Sequence, residues 1–141
     1  MFRYGLLFLD RYTWLKLLFN NQIFEMEIIL TKDPIELGKS AGSAAAELII
    51  NTIEKNGQAN IILATGASQF ETLKQLISEK DIDWSKVVMF HLDEYIGLPA
   101  SSKASFRKYL KERFLDKVPA LKATYLVNGE TEPVRECKPV K

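Results

Sequence analysis

The sequence predicts an α/β fold with a Rossmann-like, doubly wound parallel sheet. Short apolar runs alternate with segments of helical periodicity, and the connections between them are short. This alternation is typical of right-handed βαβ units, which build parallel sheets. The chain has 141 residues, of which 47% are hydrophobic and 26% charged, a composition that suits one globular domain. The pattern stops after a fourth strand, so we expect a sheet that is truncated at that point.

The first 25 residues differ from the rest of the chain because they are rich in Leu, Phe and Tyr. Charged side chains interrupt them, so no uncharged run approaches the ~20 residues of a membrane span. The apolar run Gly5–Leu9 is also too short for the core of a signal peptide. We therefore interpret residues 1–25 as an extension of unassigned role and residues 26–141 as the domain.

Four strands and three helices are predicted within residues 26–141. The strands are Met26–Leu30, Ala59–Ala64, Lys86–Leu92 and Ala123–Val127. They are short runs rich in apolar residues, as expected of strands buried in a parallel sheet. Asp33 and Pro34 signal the start of the first helix, and Glu36 completes a capping box there. Asn56–Gly57 signals the end of that helix.

Helical spacing predicts which side chains each helix turns toward the sheet. They are Leu37, Ala41, Ala44, Ala45, Leu48 and Ile49 in the first helix, Phe70, Leu73, Leu76 and Ile77 in the second, and Phe106, Leu110 and Phe114 in the third. A capping box of Ser68 and Glu71 is predicted to begin the second helix, and Ser101 or Ser102 to begin the third. Trp84 is predicted to be a packing residue.

The charge balance and the cysteine count exclude several classes of partner and environment. Nineteen basic and eighteen acidic residues leave a net charge of +1, which gives no support for a nucleic-acid or membrane-surface partner. Cys137 is the single cysteine, so no intramolecular disulfide can form, and a reducing compartment, the cytoplasm, is predicted. No signature of a catalytic nucleophile surrounds Cys137, and we interpret it as an incidental thiol.

A first group of polar residues follows the second predicted strand, at the edge where open parallel sheets bind ligands. Thr65, Gly66, Ala67 and Ser68 form a tight turn before the second helix. Free backbone N–H groups and the positive end of a helix dipole make such a turn a potential anion site. The turn lacks the signatures of a nucleotide P-loop and of a dinucleotide-binding fold. Ordinary helix capping by Ser68 is the alternative interpretation.

A second group, His91, Asp93 and Glu94, ends the third predicted strand. Side chains alternate along a strand, so His91 and Asp93 are expected on one face, roughly 7 Å apart, with Glu94 on the other. A carboxylate held at a strand end suits a general base, and capping of the following loop is the alternative for Asp93. His91 is interpreted as a hydrogen-bonded structural histidine. We predict no metal site, because this single histidine has no cysteine near it.

The segments LATGAS, KVVMFHLDEYIGLP, SFRKYL and LVNGE together resemble the N-terminal half of glucosamine-6-phosphate deaminases, the glucosamine/galactosamine-6-phosphate isomerase family. The resemblance runs from about Met26 to Cys137, and its Asp-Glu-Tyr-Ile-Gly-Leu-Pro string is specific. The related 6-phosphogluconolactonases share the fold and the Asp-Glu pair but typically continue with Arg. Tyr95 at that position therefore favours the deaminase branch.

The resemblance implies conversion of an amino-sugar 6-phosphate and water into fructose 6-phosphate and ammonium, without a cofactor. It assigns Asp93 as the base that takes the C2 proton of the opened sugar and returns it at C1. The turn Thr65–Ser68 would hold the 6-phosphate of the sugar. His91, Glu94 and Tyr95 are candidate supporting residues of the same site.

The chain departs from the family pattern after the fourth predicted strand. The family's second catalytic motif, which includes a ring-opening His, and further phosphate-binding basic residues are not found in this sequence. We therefore expect an amino-sugar phosphate as the ligand, little or no activity of this chain alone, and a homo-oligomer that covers exposed apolar sheet surface. The alternatives are a 6-phosphogluconolactonase-like sugar-lactone hydrolase and a non-catalytic sugar-phosphate-binding remnant.

Overall fold

The computed structural model describes residues 28–137. The predicted extension, residues 1–25, therefore lies outside the described residues, as do the first two positions of the predicted strand Met26–Leu30. The chain divides into two units at Leu30, and every helix and strand described below belongs to the second unit, Thr31–Lys141. Within the described residues, no helix has both the length and the apolar character needed to cross a membrane.

Three parallel strands form the sheet: β1 (Ala59–Leu63), β2 (Val87–His91) and β3 (Ala123–Tyr125), in the order β1-β2-β3. They coincide with the second, third and fourth predicted strands, so the α/β class and the parallel sheet are confirmed. The described part of the predicted first strand, residues 28–30, is not a strand. A short apolar run forms a strand only where its backbone finds a pairing partner.

The described helices are α1 (Pro34–Asn56), α2 (Phe70–Ser78), α3 (Phe106–Leu110), which continues as a π-helical turn over Lys111–Leu115, and α4 (Pro133–Glu136). The predicted start and end of α1 are confirmed, but the capping box is not, because the Glu36 carboxylate accepts a hydrogen bond from the backbone N–H of Lys32 at 2.9 Å and not from that of Asp33. The Asp33 carboxylate accepts hydrogen bonds from the backbone N–H groups of Ile35 and Glu36. Gly57 ends the helix in the left-handed conformation, with φ of 75°, which glycine adopts without steric cost.

The winding of the chain leaves one face of the sheet open among the described residues. The strand order runs in one direction without reversal, so two right-handed crossovers place α2 and α3 on the same face. The buried core on that face includes Ile49 and Ile53 of α1, Val87 and Met89 of β2, and Phe114 after α3. On the opposite face, register aligns Ile62, Phe90 and Tyr125, which are 66%, 37% and 45% exposed.

The packed face of α1 differs from the predicted one. Its buried residues are Gly38, Gly42, Ala46, Ile49 and Ile53, whereas Leu37 and Leu48 of the predicted face are 49% and 68% exposed. The glycines decide the rotation of the helix, because α2 passes so close that a Cβ atom at Gly38 would meet the backbone of Glu71 at less than 3.0 Å. Helical periodicity identifies the apolar residues of α1, but it cannot predict that α2 crosses the helix so closely.

The starts of α2 and α3 also differ from the predictions. Ser68 lies inside a short 3₁₀ turn, Ala67–Gln69, and its side chain caps no helix. Ser105 caps α3 in place of Ser101 or Ser102, and its hydroxyl accepts a hydrogen bond from the backbone N–H of Lys108 at 3.3 Å. The prediction that Trp84 is a packing residue is confirmed, since it is buried edge-on against Phe114 with ring centroids 5.4 Å apart.

Replacing Gly38 with alanine is expected to destabilise the fold despite the better helix propensity of alanine. The propensity gain is about 1 kcal/mol, whereas forcing a methyl group against a packed backbone costs about 1–3 kcal/mol. Urea denaturation measures the difference in the free energy of unfolding. Lys39→Ala, on the exposed side of the same helix, is the matched control and should change stability little. A Gly38→Ala variant more stable than the parent would contradict the close crossing.

Candidate active site

The two groups of polar residues from the sequence lie at the same edge of the sheet, beyond the carboxyl ends of β1 and β2. The backbone N–H of Leu92 donates to the carbonyl of Leu63 at 3.2 Å, so the parallel ladder continues past the last residue of β2. Leu63 and His91, the last residues of β1 and β2, pair with each other in register. The turn that starts two residues after Leu63 and the acidic residues that start two residues after His91 therefore leave the sheet from neighbouring strand ends.

The turn after β1 offers several unused hydrogen-bond donors. Among the described residues, the backbone N–H groups of Gly66, Ala67 and Ser68 have no hydrogen-bond partner, and the hydroxyls of Thr65 and Ser68 also have none. The 3₁₀ turn is closed by a 3.0 Å hydrogen bond from the Gln69 N–H to the Gly66 carbonyl. Donors that converge at a strand end can hydrogen-bond an anion.

Asp93 is exposed, and its carboxylate makes no hydrogen bond to any described residue. It lies in the chain between the buried ring of His91 and the buried side chain of Glu94. A carboxylate that is free of partners but carried on an anchored backbone can accept a proton from a bound molecule.

Glu94 supplies the anchor, because its side chain is fully buried. One carboxylate oxygen accepts from the backbone N–H groups of Tyr95 at 3.0 Å and Phe106 at 3.1 Å. The other accepts from the Ser105 hydroxyl at 2.8 Å and the Arg107 N–H at 2.9 Å. Burial by itself raises the pKa of Glu94, but these hydrogen bonds outweigh burial and lower the pKa to about 2.

Arg107 extends this network to the loop after β3. Its Nε donates to Glu94 at 3.3 Å, and its two terminal nitrogens donate to the Asn128 side chain, the Leu98 carbonyl and the Glu130 carboxylate at 2.8–3.1 Å. Its side chain is only 11% exposed. Sequence reasoning did not identify Arg107 as a residue of this site. The sequence offers one signal for this role, the Ser-Phe-Arg run of residues 105–107. The residues that Arg107 contacts lie 9 to 23 positions away in the chain, so this run alone does not reveal them.

Two glycines let the loops on either side of this network meet. Gly97 has a positive φ of 76°, and its N–H donates to the carbonyl of Gly129 at 2.6 Å. A Cβ atom at Gly129 would collide with the Tyr95 carbonyl and contact the Glu94 side chain at 3.0 Å. The start of the loop that follows Asp93 is therefore held against Gly129 in the loop after β3.

His91 occupies a different environment from the one predicted. It is 6% exposed, and neither ring nitrogen has a hydrogen-bond partner among the described residues, so the prediction of a hydrogen-bonded histidine is wrong. Burial lowers its pKa, against the opposing effect of the charges on Glu94 and Asp93. Because β2 ends at His91, the side-chain alternation that aligned it with the exposed Asp93 does not extend that far.

Tyr95 lies at the surface beside this network. Its ring is packed at a tilt against Phe106, with centroids 4.9 Å apart, and the residue is 54% exposed. Tyr95 therefore exposes part of its ring two residues after Asp93 in the chain. Within the part of the chain that the structure describes, no group of three or more histidine, cysteine or acidic residues could hold a metal ion.

Residues 32–139 match the family model described as glucosamine-6-phosphate isomerases/6-phosphogluconolactonase. This chain belongs to that family. The resemblance found in the sequence is thereby confirmed. The match includes the turn after β1, the acidic pair after β2 and Arg107, so the whole geometry described above falls within the family region.

Glucosamine-6-phosphate deaminases are among the family members to which this chain is similar. It is 35% identical to the one from Shouchella clausii over 115 residues, and 34% identical to the one from Pediococcus pentosaceus over 104 residues. These matches cover 79% and 74% of this chain but 45% and 41% of the relatives. The chain therefore spans less than half the length of these two relatives.

Solved structures within the family support the same fold. A monomeric glucosamine-6-phosphate deaminase superposes with a TM-score of 0.66 at 25% identity, over 79% of this chain and 47% of that one. A 6-phosphogluconolactonase from Thermotoga maritima superposes with a TM-score of 0.60 at 19% identity, over 80% of this chain and 50% of that one. At that identity the second comparison supports the fold alone.

Proposed function

We propose that this chain supplies the phosphate-binding turn and the catalytic base of a glucosamine-6-phosphate deaminase site. The observation that carries the proposal is Asp93, an exposed carboxylate next to the anchored Glu94 and at the same sheet edge as the turn Thr65–Ser68. The deaminase relatives support the substrate class, an amino-sugar 6-phosphate. The reaction belongs to amino-sugar catabolism and, by this proposal, takes place in the cytoplasm.

In the proposed reaction, the free N–H groups of Gly66, Ala67 and Ser68 bind the 6-phosphate, joined by the hydroxyls of Thr65 and Ser68. Asp93 takes the proton from C2 of the opened sugar and returns it at C1. The resulting imine at C2 adds water, and its hydrolysis releases ammonium and leaves fructose 6-phosphate. Enzymes of this class are deaminating aldose–ketose isomerases, and a positioned base typically contributes about 10²–10⁴-fold in rate.

Glu94, Tyr95 and His91 act in support of this chemistry. Glu94 positions the backbone that carries Asp93 through its five hydrogen bonds. Tyr95 offers an exposed ring beside the site, and the buried His91 packs beneath the strand end. The sheet face that the described residues leave uncovered, with Ile62, Phe90 and Tyr125, supports a homo-oligomer as a further part of the proposal.

Ammonium release from glucosamine 6-phosphate tests the function. We expect little or no release by this chain alone, because the matched relatives contain more than half of their length outside the aligned region. A chimera that joins this chain to the remaining part of the Shouchella clausii relative is expected to release ammonium. Ammonium release by the chain alone at the rate of the full-length relative would contradict the first expectation.

Lactone hydrolysis provides the second arm of the test. A chimera that hydrolyses 6-phosphogluconolactone and releases no ammonium would replace the proposal with a sugar-lactone hydrolase. Saturable binding of glucosamine 6-phosphate without turnover by the folded chimera would instead support a non-catalytic binding remnant. Both measurements use the same preparation of the chimera. Its circular dichroism spectrum is recorded first, so that a folding failure is detected before either assay.

A further inference from the structure

A groove between α2 and the π-helical turn after α3 lies outside the candidate active site. It has a volume of about 420 Å³, and an adjoining cavity has a volume of about 320 Å³. Tyr109 and Arg113 border both spaces, which links them. Volumes of this size are typical of small-molecule sites.

The groove is lined by a flat aromatic surface. The rings of Phe70 and Tyr109 stack with centroids 5.7 Å apart, and the Arg113 guanidinium lies 4.7 Å from the centre of the Phe70 ring. Phe70 was predicted to face the core, yet it is 38% exposed, and Leu73 takes the buried position one turn later. Tyr109 and Arg113 cover part of the Phe70 ring, and its exposed remainder offers a stacking surface to another flat ring.

The rim of the groove carries unpaired positive charge. The basic residues around the two spaces are Lys74, Lys103, Lys108, Arg113 and Lys117, and the acidic ones are Glu71 and Glu112. Both acidic residues already lie within 4.0 Å of a lysine, Glu71 beside Lys74 and Glu112 beside Lys108. No described carboxylate lies within that distance of the other three basic side chains. Since the whole chain has a net charge of only +1, this positive charge is concentrated locally.

Tyr109, which borders the groove, carries a buried hydroxyl. Its hydroxyl oxygen is buried and has no hydrogen-bond partner among residues 28–137. Burial raises the pKa of this hydroxyl, so it stays protonated at neutral pH and can donate. A buried hydroxyl without a partner is unusual in a folded protein. Because this oxygen is not accessible from the surface, Tyr109 contributes its ring and not its hydroxyl to the groove wall.

We propose that this groove binds a small molecule that carries a flat ring and a phosphate group. The ring stacks on Phe70, and the phosphate is bound by Arg113 and Lys117, whose charges have no carboxylate partner in the described structure. The volume of the groove, about 420 Å³, suits one nucleotide-sized molecule. This proposal is independent of the deaminase function, because none of these residues belongs to the turn after β1 or to the acidic pair after β2.

Calorimetric titration of the full chain with AMP tests the proposal, with ribose 5-phosphate and inorganic phosphate as comparison ligands. We expect saturable binding of AMP, tighter than the binding of either ligand that lacks the flat ring. Arg113→Ala and Lys117→Ala should each weaken AMP binding about tenfold or more. Lys86→Ala is the matched control, since Lys86 is an exposed lysine that pairs with Asp83 away from the groove.

Several outcomes would overturn the proposal. Absence of saturable AMP binding would do so, as would binding of inorganic phosphate that is as tight as that of AMP. Tighter binding of a short single-stranded oligonucleotide than of AMP would indicate a nucleic-acid surface instead. Ser68→Ala should leave AMP affinity unchanged, and a loss of affinity in that variant would place the ligand at the edge of β1.

Discussion

Replacement of Glu94 with alanine is expected to lower the free energy of unfolding by about 3–5 kcal/mol. The substitution leaves the Arg107 guanidinium, only 11% exposed, without its buried carboxylate partner. It also leaves the Ser105 hydroxyl and the backbone N–H of Phe106 without their acceptor. Buried donors without acceptors lose their solvation and gain nothing in return. Urea denaturation, followed by the fluorescence of the buried Trp84, measures the change.

The same carboxylate makes the stability depend on pH in a defined window. Its pKa is about 2 in the folded chain and 4.5 in an unperturbed glutamate, so the folded state favours the charged form. Glu94 therefore contributes its full stabilisation above a pH of about 4.5, and this is lost as the pH falls toward about 2. The loss amounts to about 3 kcal/mol.

Glu94→Gln separates this effect from general acid denaturation. The variant is expected to lack the part of the pH dependence that Glu94 causes, whereas Glu47→Gln, at an exposed position of α1, should keep it. A Glu94→Gln variant that loses stability between pH 4.5 and 2 as steeply as the parent would contradict the assigned role.

Replacement of Asp93 with asparagine is expected to lower the rate of ammonium release by the full-length chimera by about 10²–10⁴-fold. The amide keeps the size of the side chain but cannot accept the C2 proton. Stability should change little, because Asp93 is exposed and its carboxylate makes no hydrogen bond to the described residues. The expected result is thus a variant that folds as the parent does and fails in catalysis.

Asp81→Asn, at another exposed aspartate, is the matched control and should leave both the rate and the stability unchanged. Hydrogen exchange at C2 of the substrate, measured by NMR, gives a second readout that reports the proton transfer itself. An Asp93→Asn chimera that still exchanges the C2 proton at the parent's rate would assign the base to another residue. A large loss of stability instead would support the alternative that Asp93 is a structural loop residue.

Much of the fold was predictable because its signals are local. The three strands, the Asp33 cap and the Gly57 stop each depend on residues within a few positions of one another. The errors occurred where a distant contact competes with a local pattern. Gly38 packs against Glu71, and this close approach rotated the buried face of α1 away from Leu37 and Leu48.

In the candidate site, too, the features with local signals were predictable and those that depend on distant contacts were not. The position of Asp93 after an apolar strand, and of the turn Thr65–Ser68 after its neighbour, could be read from the sequence because a parallel sheet brings strand ends to one edge. The roles of Arg107 and Ser105 could not, since their contacts with Glu94 join residues 11–13 positions apart across an irregular loop.

By itself, the sequence determined the α/β class, the family and the edge of the sheet at which the polar residues gather. Only the tertiary structure decided which neighbouring side chain is buried and which is exposed. Glu94 is enclosed by α3 and the loop after β3, His91 is enclosed by the core, and Asp93 between them remains open. Strand alternation could not predict this, because the strand ends at His91 and the loop conformation beyond it depends on Arg107 and Gly129.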